Sequence, residues 1–289
     1  MKIRIISALV AMVLLFAVLL CPYAIVFALM VAAAAAIAVW ELLYATHRIT
    51  NKWVVASCMV FAAIEVLVVY AVQCVMSGAY TPQPMLSALS QMPAVCYLPL
   101  VLPVLFALGM MLYTVYAYEK VDAHAPSYAF CMTSYATLGF AAIAALRQLH
   151  PSVGITYVLL TMVIPWMSDT GAYFIGTLCG KHKMAPVISP KKSWEGFFGG
   201  WAVSVGASAL YAVICNVWLP TDVSPLTFAI VALVLAPLSV CGDLFASVIK
   251  RQSGIKDYGN LMPGHGGVMD RFDSVVCIAP LLYILLLLL

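Results

Sequence analysis

Charged residues and glycines crowd into one short stretch of an otherwise apolar chain, SVIKRQSGIKDYGNLMPGHGGVMDRFD, at residues 247–273. Asp257 and Asp270 lie within this stretch, and Asp243 lies just before it. Carboxylate oxygens, together with waters and phosphates, are the ligands that Mg²⁺ prefers in proteins. We therefore interpret the three aspartates as a candidate magnesium site that would also hold a phosphate-bearing ligand.

Positive charge and a glycine-rich turn accompany these aspartates. The cations of the stretch are Lys250, Arg251, Lys256 and Arg271. They alternate with aspartates and glycines, which a pure topology signal does not need, so we interpret them as phosphate contacts. Gly266 and Gly267 permit positive φ and close approach of the backbone, and their amides are candidates for an anion-binding nest. Next to these glycines, His265 either assists proton transfer or shapes the turn.

A second stretch, SPKKSWEG at residues 189–196, has the composition of a phosphate-binding helix start. Lys191 and Lys192 offer two cations, and Ser193 offers a hydroxyl, directly ahead of an apolar segment of helical length. The N-terminus of a helix attracts anions because its first amides lack partners. The stretch therefore predicts further phosphate contacts.

These residues must be positioned by membrane-spanning elements. The chain of 289 residues is 65% hydrophobic and 9% charged, and its mean hydropathy is +1.07, which excludes a soluble globular domain. Long apolar runs without alternation favour helices over a β-barrel. We predict an all-α polytopic membrane protein with about nine transmembrane helices, each of roughly 20 residues or more. The predicted spans lie near 3–20, 22–45, 53–76, 94–118, 127–149, 153–179, 197–219, 226–249 and 272–289.

The distribution of lysine and arginine predicts the orientation of these helices. With nine spans, Arg147 is the one basic residue that falls on the side opposite the N-terminus. The positive-inside rule then places the N-terminus in the cytoplasm and the C-terminus outside. Loops 180–196 and 250–271 share the cytoplasmic face. The charged N-terminal segment is expected to be a retained first helix rather than a cleaved signal peptide.

We expect two regions with different roles. Residues 1–125 would form a helical scaffold with oligomer contacts, and residues 126–289 would form the catalytic region. Asp243 precedes Lys250 by seven residues, which places it roughly 10 Å below the cytoplasmic boundary at the helical rise of 1.5 Å per residue. A water-soluble ligand alone would not require an aspartate at that depth, so a lipid co-substrate is expected.

The whole stretch resembles the signature of the phosphatidate cytidylyltransferases, also called CDP-diacylglycerol synthases. The matching residues are Ser247, Lys250, Arg251, Lys256, Asp257, Gly259, Pro263, His265, Gly266, Gly267, Asp270, Arg271 and Asp273. Met262 stands where the family more usually has Ile, Leu or Phe. Upstream, SDTGAYFIGTLCGKH from Ser168 and SPKKSWEG also resemble family motifs, so the resemblance covers about residues 160–275.

The resemblance implies transfer of a cytidylyl group from CTP to phosphatidic acid, which yields CDP-diacylglycerol and pyrophosphate for phospholipid biosynthesis. It implies a divalent metal, Mg²⁺, held by Asp243 and Asp270, and leaves a second cation open. The lipid phosphate would attack the α-phosphorus of CTP in line. A multi-pass homodimer in the inner (plasma) membrane is expected, with its active site on the cytoplasmic face and no nucleic-acid partner.

The same resemblance suggests roles for individual residues. Phosphates would be gripped by Lys192, Lys250, Arg251 and Lys256. Ser193 would hydrogen-bond the nucleotide, and Arg271 would hold the lipid phosphate or the β-phosphate. Asp169, an acidic residue inside a predicted span, is expected to line the ligand pocket.

Two other functions compete with this interpretation. A CTP-dependent lipid kinase of the polyprenol type would use related architecture and the same nucleotide. An anion transporter would place its site near the middle of the membrane between broken helices. The transporter is disfavoured because the polar residues cluster toward one predicted face, and the complete signature favours cytidylyl transfer over the kinase.

Overall fold

The computed structural model describes residues 2–21, 23–79, 94–119, 121–219, 221–261, 264 and 266–289. Within these ranges nine α-helices account for most of the chain, and eight apolar helical segments are long enough to cross a membrane. The prediction of an all-α polytopic membrane protein is confirmed. Each of the nine predicted spans corresponds to one helix, although α1 is not among the eight long apolar segments.

The nine helices are numbered in chain order. Their bounds are α1 Lys2–Leu19, α2 Ala24–Trp40, α3 Lys52–Ala79, α4 Leu98–Tyr116, α5 His124–Gln148, α6 Gly154–Cys179, α7 Trp194–Trp218, α8 Pro225–Gln252 and α9 Met269–Leu288. A π-helical turn, Glu41–Ala45, extends α2, and a 3₁₀ turn, Ala94–Tyr97, precedes α4. The sole sheet of the described residues is a hairpin of β1 Lys183–Ala185 and β2 Ser189–Ser193.

The chain divides into two compact units, one of residues 8–149 and the other of residues 150–289 with residues 1–7. The boundary predicted between residues 125 and 126 lies at the start of α5, and α5 belongs entirely to the first unit. The scaffold and catalytic roles expected for the two regions remain predictions.

In the first unit, small residues and aromatic rings hold the helices together. Ala28, Ala35 and Ala38 of α2 are fully buried, and such small side chains let helix backbones approach closely where lipid removes the usual hydrophobic driving force. Phe61 of α3 stacks on Phe106 of α4, with ring centroids 4.0 Å apart. Packing therefore joins α2, α3, α4 and α5 into one bundle.

In the second unit, glycines bring α6 and α7 into close contact. A Cβ atom added at Gly171 would lie 2.8 Å from the Cβ of Val203, and one added at Gly196 would lie 2.8 Å from the carbonyl oxygen of Ala172. Ser204 donates a hydrogen bond to the carbonyl oxygen of Ile164 at 2.9 Å. These contacts fix the end of α6 beside the hairpin that leads into α7.

The loops that carry the charged residues are shorter than predicted. Helix α7 begins at Trp194 rather than at 197, because the Ser193 hydroxyl accepts a hydrogen bond from the Gly196 amide and caps the helix. Helix α8 continues through Lys250 and Arg251, whose positive charges suit the C-terminal end of a helix dipole. Helix α9 begins at Met269, so Asp270 and Arg271 lie in its first turn.

Candidate active site

The hairpin between α6 and α7 carries the first lysines of the site. Lys191 and Lys192 lie on β2, which pairs antiparallel with β1. His182 anchors the hairpin to α7, because its Nδ1 lies 2.6 Å from Oε1 of Glu195 and its backbone amide lies 3.2 Å from both carboxylate oxygens. The start of the hairpin is thus held against the first turn of α7.

Lys192 contacts the carboxylate of Asp243 through an ion pair between Nζ and Oδ2. Both side chains are about three-quarters buried, with 22% and 26% of their surfaces exposed. The ammonium makes no hydrogen bond with ideal geometry in the described part of the chain. The contact joins β2 to α8, two elements that are distant in sequence.

The carboxylates of the site come from three helices. Asp169 of α6, Asp243 of α8 and Asp273 of α9 lie within electrostatic range of one another. Lys192 is close to Asp169, and Lys250 is close to Asp273. Together these five side chains form what we call the aspartate–lysine cluster. Asp169 is exposed, Asp243 is partly exposed and Asp273 is buried, so the cluster is open on one side.

Close packing of α8 and α9 explains why Asp243 and Asp273 meet. A Cβ atom added at Gly242 would lie 2.6 Å from the Cβ of Cys277 and 3.0 Å from the carbonyl oxygen of Asp273. Only glycine allows the two backbones to approach this closely. The residue before Asp243 therefore determines the distance between two of the carboxylates.

Asp270 holds the glycine-rich loop against the start of α9. Its Oδ1 accepts a hydrogen bond from Nζ of Lys250 at 2.8 Å, and its Oδ2 accepts from the amides of Tyr258 and Gly267 at 2.7 Å and 3.0 Å. The Asp270 side chain is 2% exposed. The amide of Gly267, predicted to face a ligand anion, binds this protein carboxylate instead.

Gly266 and Tyr258 complete the loop anchored by Asp270. Gly266 has a φ of +86°, and a Cβ atom there would lie 2.7 Å from Oδ2 of Asp270. The hydroxyl of Tyr258 donates to the carbonyl oxygen of Ala246 at 2.9 Å, and Lys250 lies over the ring with Nζ 5.3 Å from its centroid. Tyr258, Gly266 and Gly267 are therefore fixed against α8 and the start of α9.

Other predicted site residues are not brought into the aspartate–lysine cluster. The hydroxyl of Ser193 caps α7. His265 lies outside the described residues. The remaining side chains are exposed, and no ion pair or side-chain hydrogen bond is found for them within the described ranges: Lys191, Arg251, Lys256, Asp257 and Arg271.

The donor set of the cluster suits a hard cation, although the arrangement is not a preformed metal cage. Among the described residues, no group of three or more His, Cys, Asp or Glu side chains is close enough to hold a metal ion. Both oxygens of Asp270 accept hydrogen bonds from the protein, whereas the ion pair of Asp243 uses Oδ2. Asp243 is accordingly the better placed of the two predicted ligands for Mg²⁺.

Comparison with known proteins assigns the family. A model of the cytidylyltransferase family matches residues 2–289. The chain belongs to this family. It is 42% identical over 161 residues to the phosphatidate cytidylyltransferase of Staphylococcus epidermidis, and 44% identical over 165 residues to that of Staphylococcus aureus. Each alignment covers 55% of this chain and 59% of the relative, so the matched part spans less than two thirds of those proteins.

In this member of the cytidylyltransferase family, Asp273 lies within the second turn of α9 and takes part in the cluster. Its Oδ1 accepts from the amide of Ser274 at 2.7 Å, while the carboxylate also lies near Asp243 and Lys250. The three-residue spacing from Asp270 is the signal in the sequence, because it puts both side chains on one side of α9. The pairing of His182 with Glu195 has no such signal.

Proposed function

We propose that the protein transfers the cytidylyl group of CTP to phosphatidic acid. The observation that supports this proposal best is the aspartate–lysine cluster, in which Lys192 from the hairpin and Lys250 from α8 face carboxylates from three apolar helices. The name of the staphylococcal relatives, phosphatidate cytidylyltransferase, supports the same activity. Such a site would bring a nucleotide and a lipid headgroup together at the membrane surface.

In the proposed reaction an oxygen of the lipid phosphate attacks the α-phosphorus of CTP. The new bond joins the two phosphates, the bond between the α-phosphorus and its bridging oxygen to the β-phosphate breaks, and pyrophosphate leaves with that electron pair. No covalent enzyme intermediate is needed, because the phosphate monoester is itself the nucleophile. The protein contributes positioning and charge stabilisation, which dominate catalysis of phosphoryl transfer.

The residues of the cluster take different parts in this proposal. Lys192 exchanges its contact with Asp243 for a phosphate of CTP. Mg²⁺ held by Asp243 would supply charge neutralisation on the pyrophosphate that departs. Asp270 remains a predicted ligand, and to bind a metal through Oδ1 it would have to release Lys250. A lipid phosphate would arrive near three exposed cations. They are Arg251 at the end of α8, Lys256 in the loop and Arg271 at the start of α9.

Eight long apolar segments make this a multi-pass membrane protein. We further propose that it lies in the plasma membrane with the aspartate–lysine cluster facing the cytoplasm, since the lysines and arginines of the loops fall on that side under the positive-inside rule. The homodimer and the absence of a nucleic-acid partner stay predictions.

Product analysis with two differently labelled nucleotides tests the proposed function. Purified full-length protein in mixed micelles would receive phosphatidic acid, Mg²⁺ and CTP labelled at either the α- or the γ-phosphorus. We expect the α-label in the lipid fraction and the γ-label in pyrophosphate. Transfer of the γ-label to a lipid, with release of CDP, would instead identify a lipid kinase. Both activities would be rejected if neither label entered the lipid fraction. The Asp243→Asn variant supplies the background count of label for this comparison.

A further inference from the structure

An open cavity of about 200 Å³ lies within the unit of residues 8–149 and contains none of the residues of the aspartate–lysine cluster. It is formed where the turn before α3, the end of α4 and the start of α5 meet. Its lining includes Arg48, Asn51, Val54, Tyr113, Asp122 and Ala125. The lining therefore combines apolar and polar side chains.

Polar residues of the lining make hydrogen bonds at the helix ends. Nδ2 of Asn51 donates to the hydroxyl of Tyr113 at 3.0 Å, and Oδ1 of Asn51 accepts from the amide of Trp53 at 3.0 Å. Asn51 thus caps α3 and ties it to α4. Oδ1 of Asp122 accepts from the amide of His124 at 3.1 Å, so its negative charge is directed toward the N-terminus of α5. Arg48 contributes the guanidinium of the lining.

The backbone on either side of Arg48 is irregular and is held in place by hydrogen bonds. The π-helical turn Glu41–Ala45 ends α2, and His47 follows with a φ of +57°. The hydroxyl of Thr46 donates to the carbonyl oxygen of Leu42 at 2.7 Å, and the amide of Ile49 donates to Leu43 at 3.0 Å. A π-turn and a left-handed non-glycine residue both cost free energy and occur often at functional sites.

Aromatic side chains indicate the depth of the cavity in the membrane. Trp53 is 86% exposed, Tyr116 is 91% exposed and Tyr118 is 74% exposed, and all three lie at or beside the helix ends that form the cavity. Tryptophan and tyrosine rings concentrate at the boundary between hydrocarbon and water. The cavity therefore lies at the level of the lipid headgroups.

We propose that this cavity binds the phosphate-bearing headgroup of an anionic phospholipid. The guanidinium of Arg48 suits a phosphate because its planar donors pair with two oxygens at once. The hydroxyl of Tyr113 accepts from Asn51 and keeps one proton to donate. At about 200 Å³ the cavity has room for a headgroup but falls below the roughly 300 to 1,000 Å³ of pockets that enclose larger ligands. The apolar lining residues Ile49 and Val54 would contact the acyl chains next to the glycerol.

The proposal does not depend on the enzymatic activity, and lipid binding tests it directly. Native mass spectrometry of the purified full chain would count bound dioleoylphosphatidylglycerol, with dioleoylphosphatidylcholine as the zwitterionic comparison. The Arg48→Gln variant should bind phosphatidylglycerol about tenfold more weakly, since a hydrogen bond to a charged group contributes roughly 1.5 to 3 kcal/mol. The matched control is Lys52→Gln, which removes the same charge nearby from a residue outside the lining.

A second pair of variants tests the cavity without changing charge. Ala125 lines the cavity, so Ala125→Leu should fill it and weaken binding of phosphatidylglycerol, whereas Ala123→Leu should not because Ala123 is exposed outside the lining. Thermal melting of each variant would establish that it folds. Phosphatidylglycerol binding that is the same in Arg48→Gln, Ala125→Leu and both controls would overturn the proposal. The assignment to a lipid would be overturned if the Arg48→Gln and Ala125→Leu variants lost binding of glycerol 3-phosphate but kept binding of phosphatidylglycerol.

Discussion

Lys192, at the end of a short hairpin, forms an ion pair with Asp243 of α8. Lys192 is predicted to bind a phosphate and Asp243 to bind a metal ion. In the structure the two side chains bind each other instead. An ammonium near a carboxylate offsets its charge in the same way that a bound cation would. Under the proposed function, binding of CTP and Mg²⁺ would separate the two side chains.

Replacing Lys192 should impair the use of CTP more than it impairs folding. We expect Lys192→Ala to raise the KM for CTP about tenfold or more, because a charge-assisted contact to phosphate is lost. The matched control is Lys183→Ala, since Lys183 is an exposed lysine on β1 of the same hairpin and belongs to no predicted site. Initial rates across a CTP titration measure the effect. An unchanged KM for CTP in Lys192→Ala would show that this lysine does not grip the nucleotide.

Asp243→Asn should abolish turnover of CTP in folded protein. The amide keeps the size of the side chain but removes the negative charge proposed to hold Mg²⁺, so kcat should fall at least about a hundredfold. Asp222→Asn is the control, because Asp222 is exposed and belongs to none of the predicted sites. Near-normal activity of Asp243→Asn at saturating Mg²⁺ would remove this residue from the metal site.

Chelation of divalent ions should stop the reaction reversibly. We expect EDTA to reduce product formation to background and added Mg²⁺ to restore it, because pyrophosphate leaves poorly without charge neutralisation. Thermal melting of the protein with EDTA would verify that the loss is not due to unfolding. Full activity after exhaustive chelation would contradict a metal-dependent mechanism.

Asp270→Asn should destabilise the protein even without substrate or metal. The substitution removes the carboxylate that accepts a hydrogen bond from Lys250 and weakens the acceptor for the amides of Tyr258 and Gly267. Removing one member of a buried ion pair costs about 3 to 5 kcal/mol. Thermal or denaturant unfolding in detergent would measure the change, with Asp257→Asn as the exposed control. Loss of activity with no loss of stability would instead favour a role for Asp270 in binding metal.

Alanine substitutions at two glycines with positive φ, Gly254 and Gly266, distinguish the effect of backbone strain from that of a steric clash. Gly254 has a φ of +69° with no neighbour within 4 Å of an added Cβ, whereas at Gly266 the added atom would meet Oδ2 of Asp270 at 2.7 Å. Gly254→Ala should cost about 1 kcal/mol in free energy of unfolding from strain alone. Gly266→Ala should cost more and should also reduce activity. Equal effects of the two substitutions would show that the contact with Asp270 is unimportant.

The lengths of the apolar runs are sufficient to predict most of the helical architecture. Segments of about 20 apolar residues must be helical inside a membrane, because each backbone amide and carbonyl needs a partner there. The predicted spans correspond to α1 through α9 with errors of a few residues at their ends. The hairpin of residues 183–193 was not predicted, since its short polar strands carry no period that distinguishes them from a loop.

For the candidate site, the sequence alone determined which residue types and motifs are present, and the spacing of those motifs identified the family. Only the tertiary structure decided the partners. Asp270 pairs with Lys250 and with loop amides, while Asp243 pairs with Lys192 and lies near other carboxylates. Neighbours on one helix follow from the helical repeat, but contacts between helices depend on close packing at residues such as Gly242. That packing is a property of the folded molecule, because it depends on pairs of surfaces that are far apart in the chain.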